Sequence, residues 1–288
     1  ALIVAFSDRY TALGSENPAK AAGLRLGDWI VSAGGRPVRS NDDLTAAIQA
    51  AGGAPLTVVY RRDGVQHTAA LTPAQDEKGR YKAGVWVRDS GAGIGTMSFV
   101  DAQHGTFAGL GHSISDTDTG TELTLLSGEI VPVTITGCIR GAAGSPGELR
   151  GEFSAKAVGR VLANDAAGVY GSYTGGTIGQ AVPVANVQEV TPGEAELWTT
   201  VQGTTAQPYK VRIERVTMTA SDPNRNLLIK VTDERLLEKT GGIVQGMSGS
   251  PIVQNGQLAA VLTHVLVNDP AKGYAIFAAT MLEKADAV

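Results

Sequence analysis

One cysteine, Cys138, in a chain of 288 residues excludes an intramolecular disulfide and a zinc site built on several cysteines. A lone cysteine of this kind reads as a small buried hydrophobe rather than a catalytic thiol. No stretch of 18 or more apolar residues occurs, so no segment is expected to cross a bilayer as a helix. A net charge of −4 without a long basic run leaves no electrostatic footprint for nucleic acid, and none is expected as a partner. The chain opens on Ala1-Leu2-Ile3-Val4-Ala5-Phe6, with neither Met nor a basic leader. That reads as a processed or truncated start, with room for an anchor or signal upstream.

What is present is an ordinary globular composition, 43% apolar and 18% charged, which argues against disorder. Thirty-seven glycines against 5% aromatics suit many short strands joined by tight turns. The length allows two or three compact units.

Residues 1–72 read as a small α+β domain. Asn17-Pro18-Ala19-Lys20-Ala21-Ala22-Gly23 carries a capping residue, a proline at the first helical position and a closing glycine. Gly34-Gly35 marks a hairpin. Asn41 to Ala51 reads as a second helix with Leu44, Ala47, Ile48 and Ala51 on one face and Gly52 as its stop. Alternating residues on either side of Asp63-Gly64 predict another hairpin. Residues 73–84, polar and charged, read as a linker.

From residue 85 the pattern becomes short strands and turns, with strand character at 85–87, 96–100, 130–135, 181–187, 197–201, 209–216 and 227–231. This predicts a β-barrel or sandwich domain over 85–288, with helix only near the end, around 279–286.

The chemistry concentrates in Gly246-Met247-Ser248-Gly249-Ser250-Pro251, a serine among small residues just before a strand. Such a turn lets a carbonyl approach the backbone, and the N–H groups of Gly246 and Ser248 suit an oxyanion hole. A serine nucleophile needs a base, and only four histidines exist. His67 falls in a hairpin and His104 in a turn. His112, in Gly111-His112-Ser113-Ile114-Ser115-Asp116, ends a small-residue strand and is the favoured base. His264 follows a strand and is the competitor; with Val265 it is a candidate for the substrate cleft. Two decoys fail on spacing: Gly91-Ala92-Gly93-Ile94-Gly95 lacks the rest of a nucleotide fingerprint, and Asp116-Thr117-Asp118 lacks the rest of a calcium loop. No cofactor and no metal is expected.

The sequence from Asn17 to Ile30, with Gly23-Leu24 and Leu26-Gly27-Asp28, resembles the bacterial PDZ pattern. That resemblance implies binding of extended peptides as an added strand, or a role restraining the neighbouring domain. It also places the usual carboxylate-cradling loop before Ala1 or at its edge.

Thr240 to Ile252, Gly111 to Asp116, and Thr263-His264-Val265-Leu266-Val267-Asn268-Asp269-Pro270 resemble the stage IV sporulation protein B peptidases. The resemblance implies a chymotrypsin-like double β-barrel serine peptidase behind a PDZ module, with Ser248 as nucleophile and His112 as base. The family's acidic member would fall on Asp233, although Asp165 suits the usual order along a double barrel and Asp116 lies close to His112. The implied partners are a membrane-bound regulator of an intramembrane protease and the chain's own N-terminal region. The implied location is outside the cytoplasm, between mother cell and forespore. Met247 stands where digestive serine peptidases carry an aspartate, which argues against activation by an inserted N-terminus. The competing reading from another class is a catalytically inactive PDZ-and-barrel scaffold that binds extended peptides.

Overall fold

A computed structural model describes residues 1–11, 14–123, 125, 127–176 and 179–288. Contacts divide the chain into two units, residues 1–92 with 115–121, and residues 93–114 with 122–288.

The first unit follows the sequence signals closely. Asn17 caps the Pro18–Ala21 helix by accepting from the Lys20 amide. Ser40 and Asp43 form a reciprocal capping box on the Asn41–Ala51 helix, which Gly52 ends in the left-handed conformation. The helix buries Leu44, Ala47 and Ile48 against a core that includes Ile3, Ile30, Val58 and Tyr60. Each such fully buried aliphatic side chain contributes about 1.5–3 kcal/mol relative to exposure. Asp63 and Gly64 both have positive φ, the geometry a two-residue hairpin needs between Leu56–Arg62 and Val65–Leu71. Asp28 is buried because Arg62 grips both its oxygens at 2.7 Å and the Arg25 amide adds a third bond.

The expected linker over 73–84 is not a linker. Ala74–Gln75 and Tyr81–Lys82 form a hairpin whose turn is organised by Asp76, which accepts from the Lys78 and Arg80 amides and the Arg80 side chain. Val85–Arg88 then pairs antiparallel with Leu2–Phe6 as an edge strand of the same sheet. Contacts therefore group residues 73–92 with the first unit. The polar composition of the segment marked an exposed hairpin, which periodicity does not distinguish from a linker.

The second unit is all-β apart from short helices. Its first half is a five-stranded antiparallel sheet, ordered Met97–Asp101, Thr106–Gly109, Gly168–Tyr173, Gly159–Asp165, Gly128–Ile130, beside the hairpin Val133–Ile139/Glu148–Phe153. Its second half is a closed six-stranded barrel: Gly193–Thr199, Gln207–Val216, Leu227–Val231, Asp269–Phe277, Gln257–Leu266 and Pro251–Gln254, back to the first. Inward residues such as Leu197, Val211, Ile213, Ile229 and Leu262 are fully buried. The expectation of a mainly β domain that follows a PDZ-type domain in the chain holds, and the second half is the one that closes among the described residues. Two local expectations do not hold. Residues 181–187 contain no strand and lead into a short 3₁₀ turn at Val187–Glu189. Helix is not confined to the Ala278–Ala285 end, because Glu234–Thr240 is helical as well.

Candidate active site

Ser248 lies in a turn entering the Pro251–Gln254 strand and is held by backbone bonds from both halves of the second unit. The Gly249 amide donates to Leu262 O at 2.8 Å, and the Ser250 amide to Met247 O at 2.9 Å. From the five-stranded half, the Thr96 amide donates to Ser248 O at 2.8 Å. Met247 is fully buried in the barrel core and anchors the turn from beneath. Gly249 has φ +94, and a Cβ there would stand 2.0 Å from Thr96 O and 2.7 Å from Leu110 N. Only glycine admits that approach, which brings the strand end leading to His112 against the nucleophile turn.

The amides of this turn alternate in their use. Those of Gln245, Met247, Gly249 and Ser250 have backbone acceptors, whereas those of Gly246 and Ser248 have none among the described residues. Two uncommitted donors flanking a serine are what an oxyanion hole requires.

His112 reaches the site through a strained corner. Leu110, at φ +66, and Gly111, at φ +69, turn the chain out of the Thr106–Gly109 strand. A leucine in the left-handed region is uncommon and is tolerated where surrounding structure imposes it. A Cβ on Gly111 would meet Thr263 Cγ2 at 2.9 Å and Ile276 Cγ2 at 3.1 Å. The His112 ring lies beside that of His264, with centroids 4.9 Å apart and planes at 35°. His112 Nδ1 bonds the Ser113 carbonyl at 2.8 Å. A carbonyl only accepts, so in the neutral ring Nδ1 carries the hydrogen and Nε2 is the basic nitrogen. Burial lowers the His112 pKa below its ordinary 6.5, and the Ser113 bond offsets part of that. His264 keeps solvent access but is partly desolvated by its surroundings; that effect, with the nearby His112 and Arg225, lowers it to about 4.

Ser248 Oγ donates to the Thr263 carbonyl at 2.8 Å, the residue immediately before His264. Among the described residues it makes no hydrogen bond to either imidazole. The structure thus gathers Ser248, His112, His264 and the two free amides in one region, with the serine hydroxyl turned to a backbone carbonyl.

The carboxylate expected behind the base is not among them. Asp233 caps the Glu234–Thr240 helix, accepts from the Lys210 amide at 3.1 Å, and is gripped by Arg235 at 2.8–3.0 Å. The Arg235 side-chain bonds push its pKa down to about 2, against the opposing effect of burial. Asp165 accepts from Lys284 at 2.6 Å and from the Ala167 amide at 2.8 Å. Asp116 is held by Arg88 and by its own loop. The Ser113 carbonyl takes the place at Nδ1 that a carboxylate was expected to fill. Val265 is half-buried, packed against the barrel core beside His264.

Asn164 was not legible as a site residue. Its side chain accepts from the Ile114 amide at 2.7 Å and donates to the Ile114 and Leu123 carbonyls at 3.1 and 2.9 Å, bracing the chain two residues past His112. A lone asparagine before an aspartate in a strand gives no signal of that role. His67 stacks on Tyr60 at 5.4 Å, and His104 bonds Asp101 at 2.5 Å. Asp101, His104 and Asp286 are the one group among the described residues with ligand atoms within 4.8 Å of one another. The hydrogen bond that His104 makes to the Asp101 carboxylate raises the His104 pKa.

A serine on a glycine turn with two unengaged amides, a histidine pair nearby and β-strand halves including a closed barrel are the features a serine peptidase requires, in a chain that also carries a PDZ-type unit. The chain belongs to the SpoIVB peptidase S55 family, which it matches over residues 79–282, and residues 9–62 match the PDZ domain. Among solved structures, the Rv3671c protease of M. tuberculosis is similar in its inactive Ser343Ala form at 15% identity and TM-score 0.34, covering 56% of this chain and 85% of that one. Its active form matches at 17% identity and TM-score 0.31, covering 53% and 72%. No curated protein matches the chain.

Proposed function

We propose that this peptidase is an endopeptidase that cuts extended protein segments through an acyl-enzyme, with Ser248 as nucleophile and His112 as general base. The observation that carries the reading is the pair of uncommitted amides at Gly246 and Ser248, beside an imidazole whose Nε2 is left basic.

The reaction begins as the Ser248 hydroxyl rotates from the Thr263 carbonyl towards Nε2 of His112. Nε2 takes the hydroxyl proton while Oγ bonds to the scissile carbonyl carbon. The carbonyl oxygen becomes an oxyanion and accepts from the Gly246 and Ser248 amides. The imidazolium is stabilised through Nδ1–H by the Ser113 carbonyl. Collapse breaks the peptide C–N bond, and the departing amine takes the proton from Nε2. Water then gives its proton to Nε2 as it attacks the ester, and Ser248 recovers that proton when the acid leaves. His264, held neutral by its low pKa, lines the cleft with Val265.

The finer reading comes from the family resemblance. It assigns as substrates a membrane-associated regulatory protein in sporulation signalling and the enzyme's own N-terminal region, met on the extracytoplasmic side of the membrane.

The test is intact-mass detection of a fluorophosphonate adduct. The parent chain is expected to label, and Ser248→Ala and His112→Ala to remain unlabelled with unchanged circular dichroism. A folded parent that does not label, yet binds extended peptides, would instead favour the inactive scaffold; the Ser248–Thr263 bond is the observation on that side. Self-cleavage is tested by incubating a chain extended before Ala1 and looking for fragments that the Ser248→Ala chain does not yield.

A further inference from the structure

The chain leaves the peptidase unit almost immediately after His112. Residues 115–121 pack with residues 1–92, and the chain rejoins the peptidase unit at Glu122. Asn164 pins the point of departure by its three bonds to Ile114 and Leu123, and the Leu123 amide donates to Ile114 O at 3.0 Å.

The excursion is itself ordered around one buried carboxylate. Asp116 Oδ1 accepts from the Thr119 amide at 2.9 Å, the Thr119 hydroxyl at 3.0 Å and the Asp118 amide at 3.1 Å. Its other oxygen is held by the Arg88 guanidinium, whose second arm reaches Asp118 at 2.7 Å. The Asp116 side chain is wholly buried, so removing Arg88 leaves a desolvated charge without its counterion. Arg88 is the last residue of the Val85–Arg88 edge strand, where it lies opposite Leu2. The edge strand therefore ends in a guanidinium that holds Asp116 and Asp118 within the same unit.

We propose that Arg88 and Asp116 are positioning residues for the reaction: their clasp fixes the segment that follows His112 and so steadies the imidazole through the chain between them. The proposal goes beyond the mechanism above and rests on its reading of His112 as the base. Neither residue touches substrate; both act through the backbone between Ser113 and Asp116.

The test measures labelling rate against concentration of a fluorophosphonate probe for the parent chain, Arg88→Ala, Arg88→Lys and His112→Ala, with thermal melting of each. Arg88→Ala is expected to lower the maximal first-order rate on the order of tenfold while the half-saturating probe concentration stays constant. Arg88→Lys, which keeps the charge, is expected to recover to within about threefold of the parent. Parent-like labelling by Arg88→Ala overturns the clasp, as does a loss that Arg88→Lys does not rescue and that only tracks the folded fraction. The control separates the two ideas: if His112→Ala labels at the parent rate, the assignment of the base fails whatever Arg88 does. If His112→Ala is silent while Arg88→Ala labels normally, the clasp alone fails.

Discussion

His112 illustrates how a single side chain can be set up without a carboxylate. Its Nδ1 hydrogen is held by the carbonyl of the next residue, which fixes the tautomer but adds no full negative charge to stabilise the imidazolium. The base must be neutral to act, and its folded pKa is lowered by burial. Activity is therefore expected to persist as pH falls through 6.5 and to decline only below it, which a pH profile of kcat/KM or of labelling rate would check. A limb centred at or above 6.5 would contradict that environment. Asp233 is the converse case, a carboxylate whose bonds are structural. Asp233→Asn is expected to cost about 1–2 kcal/mol of stability through the weakened cap and lost ion pair, with labelling per folded molecule nearly unchanged. If Asp233 instead orients the base during turnover, the same variant would lose about 10⁴-fold in rate. Because its folded pKa is depressed to about 2, its stabilising contribution is complete above the ordinary carboxylate value near 3.8 and fades as pH falls towards 2.

At the scale of elements, the Leu110-Gly111 corner does for the base what the Gly246–Ser250 turn does for the nucleophile. Gly111→Ala combines positive φ with a Cβ 2.9 Å from Thr263 Cγ2. It is expected to lower stability by about 1–3 kcal/mol in thermal melts and to reduce labelling beyond the loss of folded protein. The elements that residues specify locally were readable in advance: Asn17-Pro18 opens a helix, Asp63-Gly64 turns a hairpin, and Gly52 stops a helix, because these residue types are among the few such positions favour. The strands Gly159–Asp165 and Gly168–Tyr173 were not, because glycine, serine and asparagine in them mask the enrichment that marks a strand. The Glu234–Thr240 helix was missed for a related reason. The family resemblance gives its cap, Asp233, a chemical role, and seven residues carry too little periodicity to contradict that. In the site, small-residue context points to Ser248 and His112 as candidates, whereas the Ser113 carbonyl and the Asn164 side-chain brace depend on tertiary geometry that residue type does not encode.

Across the whole molecule, closure of the six-stranded barrel separates a sheet with no free edge from one that keeps its edges. Hydrogen exchange is therefore expected to be slowest at barrel amides such as those of Val211, Ile229 and Leu262, and faster throughout the Met97–Asp101 to Gly128–Ile130 sheet. Equal protection in the two would mean that closure adds no local stability. The barrel also dictates when the site first exists. Its six strands are consecutive from Gly193 to Phe277, and the Pro251–Gln254 strand that closes it begins just past Ser248. The carbonyls that seat the nucleophile turn, Leu262 and Thr263, lie later still. On the ribosome, His112 emerges long before any of these, in a chain with nothing for it to activate. On the proposed roles of His112 and Ser248, a nascent or prematurely terminated polypeptide carries the base but no seated nucleophile, and proteolysis is expected only once the last strands have left the exit tunnel.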